Sequence, residues 1–112
     1  MEVGFRQQRL AKIFNSKREL IRKYGPEPAK RIMGRMLQLA AAHCLEDLRN
    51  MPGRCHELGH NRAGQVSIDL HGPYRLIFEP ADDQDVRPGD GGLDWSAVKS
   101  VTILEITDTH ET

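Results

Sequence analysis

Between Gln65 and Glu79 the chain alternates twice, with Val66, Ile68 and Leu70 and then Leu76 and Phe78 separated by polar residues. A period of two marks a strand with one buried face. His71-Gly72 reads as a two-residue connection in which glycine accepts positive φ, and Pro73 is tolerable where a strand begins. The expected element is a hairpin of strands over 65–70 and 74–79, whose apolar face needs a covering layer. Because the alternating residues already supply that face, the nearby His56, Arg62 and Arg75 are free to act on a ligand.

Helical periodicity in the first half supplies the cover. Leu10, Ile13 and Phe14, then Leu20, Ile21 and Tyr24, recur at helical spacing over about residues 8–24. Asn15-Ser16 interrupts this stripe, and Ser16 with Glu19 three positions on is a capping-box signature. Gly25 and Pro26 stop it. A longer helical segment over about 27–49 should start near Pro28, bury Ala29, Ile32, Met33, Met36, Leu37 and Ala40, and turn Lys30, Arg31 and Arg35 outward. Leu45 and Leu48 imply a further helical turn. A short strand over 2–6 and a longer one over 99–107 complete an α+β domain, a small mainly antiparallel sheet with an N-terminal helical hairpin on one face. The stretch 81–95 holds Asp82, Asp83, Asp85, Asp90 and Asp94 against Arg87, and is expected to be a flexible acidic loop.

At 112 residues the chain fits a single domain. No run approaches the roughly 20 apolar residues of a membrane span, and the first residues lack a signal-peptide core, so a cytoplasmic protein is expected. Net charge is zero, yet it is sorted: residues 1–62 carry 13 basic against 6 acidic residues, and 63–112 carry 3 against 10. A basic half suits phosphates, an acidic half repels them or meets a basic partner. Cys44 and Cys55 make no disulfide framework. Cys55, beside Arg54, is a candidate for a lowered pKa and for oxidation. Cys55, His56 and His60, with His43-Cys44, match no zinc signature, and neither metal nor cofactor is expected.

Pro52-Gly53-Arg54-Cys55-His56-Glu57-Leu58, Arg62, Gly64 to Ile68, Tyr74 to Glu79 and the closing run Val101 to His110 together resemble the plasmid maintenance system killer proteins, the HigB-type branch of the RelE/ParE toxin superfamily. The resemblance is close from Pro52 to His110, moderate from Leu37 to Arg49 and weak from Phe5 to Tyr24. Two lysines common in such proteins are replaced by Gly59 and Ala63, and a tyrosine by Thr109. The resemblance implies a toxin of a type II toxin–antitoxin system that cuts mRNA on the ribosome. It also implies a helix-turn-helix antitoxin partner, through which alone operator DNA is contacted, and no membrane partner.

Metal-free RNA cleavage needs a base for the ribose 2′-hydroxyl, cations at the crowded phosphate and an acid for the departing 5′-oxygen. The resemblance places His56, Arg62, Arg75, Asp108 and His110 around one face of the sheet. It implies His56 and His110 as base and acid in either order, Arg75 as the catalytic phosphate clamp, and Arg54 and Arg62 as substrate-binding cations. Asp108 would orient a histidine. Glu79 or Glu105 could instead pair with Arg75 structurally. The rival readings are a non-catalytic toxin directed at gyrase or another protein, and an inert homologue acting with an antitoxin on operator DNA.

Overall fold

The computed structural model describes residues 1–82, 86 and 92–108. The order is β1 (Glu2–Phe5), α1 (Gln8–Phe14), α2 (Lys17–Tyr24), α3 (Pro26–Ala41), a 3₁₀ turn (Leu45–Asn50), β2 (His56–Glu57), a 3₁₀ turn (His60–Arg62), β3 (Val66–Asp69), β4 (Tyr74–Pro80), a 3₁₀ turn (Trp95–Ala97) and β5 (Ser100–Asp108). The class is α+β. Five strands form one sheet in the order β1-β5-β4-β3-β2, with β1 parallel to β5 and the remaining pairs antiparallel.

Local chemistry sets the breaks. Ser16 caps α2 by accepting the Glu19 backbone N–H at 3.2 Å. Only half of the expected box forms, because the Ser16 N–H donates to the Ile13 carbonyl while the Glu19 carboxylate lies 3.8 Å from Arg22. Gly25, at φ +92°, ends α2 and is also the residue before α3, which starts on Pro26 rather than Pro28. The helix expected to run to 49 stops at Ala41 and resumes as the 3₁₀ turn that buries Leu45 and Leu48. The hairpin connection is three residues, since Leu70 N–H donates to the Tyr74 carbonyl around His71, Gly72 and Pro73.

One core lies between helices and sheet: Phe14, Leu20, Ala29, Ile32 and Leu39 meet Val66, Ile68, Leu76, Phe78, Val101 and Ile103. The buried stripe of α3 is rotated from the expected one. Leu37 is 71% exposed and Ala40 is exposed, whereas Arg35 is only 8% exposed. Arg35 is tolerated there because its Nε donates to the Asp69 carbonyl at 2.7 Å and its Nη1 to Gln38 Oε1 at 2.8 Å. Of the stretch read as an acidic loop, residues 83–85 and 87–91 lie outside the described residues. Val86, Leu93 and Trp95 are buried in the core, a contribution the acidic composition hides. Glu57 accepts from the Leu93 N–H and from Trp95 Nε1, and the Arg49 guanidinium stacks 3.8 Å over the Trp95 ring. No helix among the described residues is long and apolar enough to cross a membrane.

Candidate functional site

Strand alternation sorts the side chains of the sheet. Val66 and Ile68 pack against the helices, so Ser67 and Asp69 belong to the opposite face of the sheet. Register then sets His56, Ser67, Ile77 and Glu105 in one row across β2, β3, β4 and β5, and Asp69, Arg75 and Thr107 in the next. His56 and Arg75 therefore share a face, with β3 between them.

A bulge in β5 decides the rest. Ile77 pairs with Glu105 but Phe78 pairs with Ile103, which leaves Leu104 as an extra residue. Strict alternation from Ile103 would send Glu105 toward the helices and Asp108 to the opposite face. The extra residue shifts the phase by one, so Glu105 joins the face of Ser67 and Asp69, and Asp108, opposite Tyr74, falls on the side of Ile106 and Leu76. The register thus puts His56 and Arg75 on one face and Asp108 on the other, while Arg54 meets Arg75 at Asp69 and Arg62 reaches the same face at Glu105. His110 lies outside the described residues.

The centre of the face is Asp69, which no sequence signal singled out. Its Oδ2 accepts from Arg54 Nε at 2.5 Å, and its Oδ1 lies 2.8 Å from Arg75 Nε. The second contact is ionic, because the buried Oδ1 receives no well-directed hydrogen bond. Arg75 is held further by donating from Nη1 to the Tyr74 carbonyl at 2.9 Å and the Gly72 carbonyl at 3.4 Å. Its side chain is 13% exposed, against 73% for Arg54. The structural partner of Arg75 is therefore Asp69, not Glu79 or Glu105. Glu79 pairs with Arg6 at 3.0 Å, and Glu105 with Arg62 at 3.7 Å.

His56 is exposed, and its Nδ1 lies 2.8 Å from the Arg54 carbonyl oxygen. A carbonyl only accepts, so Nδ1 carries a proton, and whenever the ring is neutral Nε2 holds the lone pair. That is the tautomer a general base requires. For His56 the neighbour at Nδ1 is this backbone carbonyl rather than Asp108, which lies on the other face.

The loop that delivers both groups is conformationally unusual. Gly53 sits at φ +115° and Arg54 at φ +49°, a left-handed pair in which Arg54 is one of two non-glycine residues at positive φ among those described, the other being His60. The Gly53 carbonyl accepts the Asp69 N–H at 2.7 Å, tying the loop to the edge of β3. Arg62, from the following 3₁₀ turn, donates to Gln65 Oε1 at 3.0 Å and spans toward Glu105 on β5. Between His56 and Glu105 in their row, Ser67 and Ile77 are 1% and 0% exposed, and the Ser67 hydroxyl has no hydrogen-bond partner among the described residues.

Cys55 corrects another expectation. Burial pushes its thiol up to about 12, outweighing the lowering effect of the Arg49 charge. At pH 8 about one such thiol in 10⁴ ionises. A thiol-directed reagent at that pH should modify Cys55 at least about 100-fold more slowly than free cysteine, as read by mass spectrometry of the labelled peptides. A rate equal to that of the free amino acid would show the thiol to be accessible and ionised. Among the described residues, no group of three or more His, Cys, Asp or Glu side chains is placed to hold a metal ion.

Charge is sorted by layer. Arg9, Lys12, Lys17, Arg18, Arg22, Lys23, Lys30 and Arg31 are exposed on α1, α2 and α3. Only Arg22 among them is in an ion pair between described residues. Most of the basic excess read from the first half of the chain thus lies on the helices, across the molecule from His56 and Arg75, while Arg6, Arg54, Arg62 and Arg75 each have a carboxylate partner. Compared with known proteins, the chain matches no family model and no curated sequence, so its function is to be read from this face and this charge distribution.

Proposed function

We propose that this chain is the toxin of a type II toxin–antitoxin system, similar to HigB-type proteins, and that it cleaves mRNA on the ribosome without a metal. The observation that carries the reading is the register: His56 and Arg75 flank β3 on one face of the sheet, where Arg54 joins Arg75 at Asp69 and Arg62 reaches Glu105. His56 Nε2 takes the ribose 2′-hydroxyl proton, while Arg54, Arg62 and Arg75 hold the phosphate and offset its developing charge. His110 remains the proposed acid. The partners in this reading are the ribosome and mRNA as target and a helix-turn-helix antitoxin as inhibitor, in the cytoplasm.

One observation favours a second reading, a toxin that binds a protein target without catalysis: every arginine named on that face already has a carboxylate partner. Induced expression in growing cells, with mRNA ends mapped while translation runs and again while it is blocked, separates the two. Translation-dependent cuts are expected. Growth arrest without them would replace nuclease by binding, and unimpaired growth would leave an inert homologue.

A further inference from the structure

We propose that Arg54 and Arg75 form an oxyanion site whose resident occupant is the carboxylate of Asp69, so that a phosphate group enters by displacing that carboxylate. The inference rests on the phosphate-binding role given to both arginines above, and names what keeps their site closed.

Three observations carry it. Two guanidinium groups from separate segments, the 53–54 turn and β4, converge on one anion, each taking a different oxygen at 2.5 and 2.8 Å. An edge of a phosphate presents two oxygens in much the same way. Charge there is unbalanced, since Arg35 adds a third guanidinium at the Asp69 backbone carbonyl while Asp69 supplies one carboxylate. The fit of the occupant is also incomplete: Oδ1 is buried yet lacks a directed hydrogen bond, although Arg75 Nε stands 2.8 Å away. An incoming oxyanion able to meet both N–H groups squarely would gain what the carboxylate forgoes.

The two arms differ in a way that suits exchange. Arg75 is tethered to two backbone carbonyls of its own hairpin and is largely shielded, so it is the fixed jaw. Arg54 is mostly exposed and follows a glycine, so it is the jaw that follows the ligand. Asp69 keeps its backbone bonds to Gly53 and Arg35 whichever way its carboxylate turns.

Asp69→Asn removes the charge and preserves shape, an acceptor oxygen and the backbone bonds. Inorganic phosphate is titrated while the arginine Nε–Hε resonances of the full chain are followed by NMR. The variant should bind phosphate about tenfold more tightly than the unaltered protein, the effect of deleting one negative charge a few ångströms away. Adding Arg54→Gln should return the affinity to or below its starting value. Unchanged or weaker binding in a folded Asp69→Asn protein would overturn the proposal, because a carboxylate that merely positions the guanidiniums predicts a loss. If the variant does not fold, the unaltered protein decides: phosphate must shift the Arg54 and Arg75 resonances together with the Asp69 carboxyl carbon, and shifts confined to the helices overturn it. Tightened binding without any RNA cleavage would uphold this site and remove the nuclease reading. Cleavage with no effect of Asp69→Asn on phosphate would do the reverse.

Discussion

Exchanging His56 for glutamine should slow the proposed RNA cleavage by about 10²-fold to 10⁴-fold, the range expected when a positioned general base is lost. The ring is exposed, and its one contact given by the structure runs from Nδ1 to the Arg54 carbonyl. A glutamine amide can donate to the same oxygen, so the 53–57 loop keeps its anchor while the lone pair of Nε2 disappears. The melting temperature should therefore stay within a few degrees of that of the unaltered chain. Primer extension on a translated reporter message measures the rate. An unaltered rate in the glutamine variant would take His56 out of the chemistry and leave the acid–base work to His110 or to another group.

The largest expected effect on stability belongs to Gly53→Ala. At φ +115° the backbone lies where L-residues are strained, at a cost of about 1–3 kcal/mol. A β-carbon built there meets Ile68 Cγ1 at 2.7 Å and Arg35 Nε at 3.0 Å. Neither neighbour yields freely, because Ile68 is fully buried and Arg35 is bonded to Asp69 and Gln38. Overpacking of this kind adds about 1–3 kcal/mol. A loss of roughly 2–6 kcal/mol, a large share of the stability of a domain this size, should appear as a fall of at least about 10 °C in melting temperature by circular dichroism. A change under a degree or two would mean that the turn relaxes without strain, and that Arg54 and the Arg54 carbonyl are not held where the site requires them.

The strands and helix breaks that depend on near neighbours were legible in the sequence. Alternation located β3 and β4 to within one or two residues, and Ser16 and Gly25 marked the ends of α1 and α2 through capping and positive φ. Features that depend on distant partners were not. β2 is two residues long, too short for a period, and exists because β3 offers it an edge. The bulge at Leu104 is visible only when β4 is laid beside β5, and it turned the expected grouping of Asp108 with His56 into a separation. Asp69 reads as an ordinary polar position in an alternating strand; its two arginines come from 15 residues before it and from the facing strand. Counting charges by half of the chain found the asymmetry but not its location. The first half folds mostly as the helical layer, so the unpaired cations gather there rather than around the paired arginines of the opposite face.

The position of β5 bears on how the molecule comes to be assembled. The strand synthesised last of the five is an inner one, joining β1 on one side to β4 on the other, with Glu2 beside Ser100 and Tyr74 beside Asp108. Before it emerges, the first strand and the hairpin have no common neighbour, and the helices lack Val101 and Ile103 to close over. Such remote pairing delays completion of the sheet until β5 has been made, and leaves apolar surface exposed in the meantime.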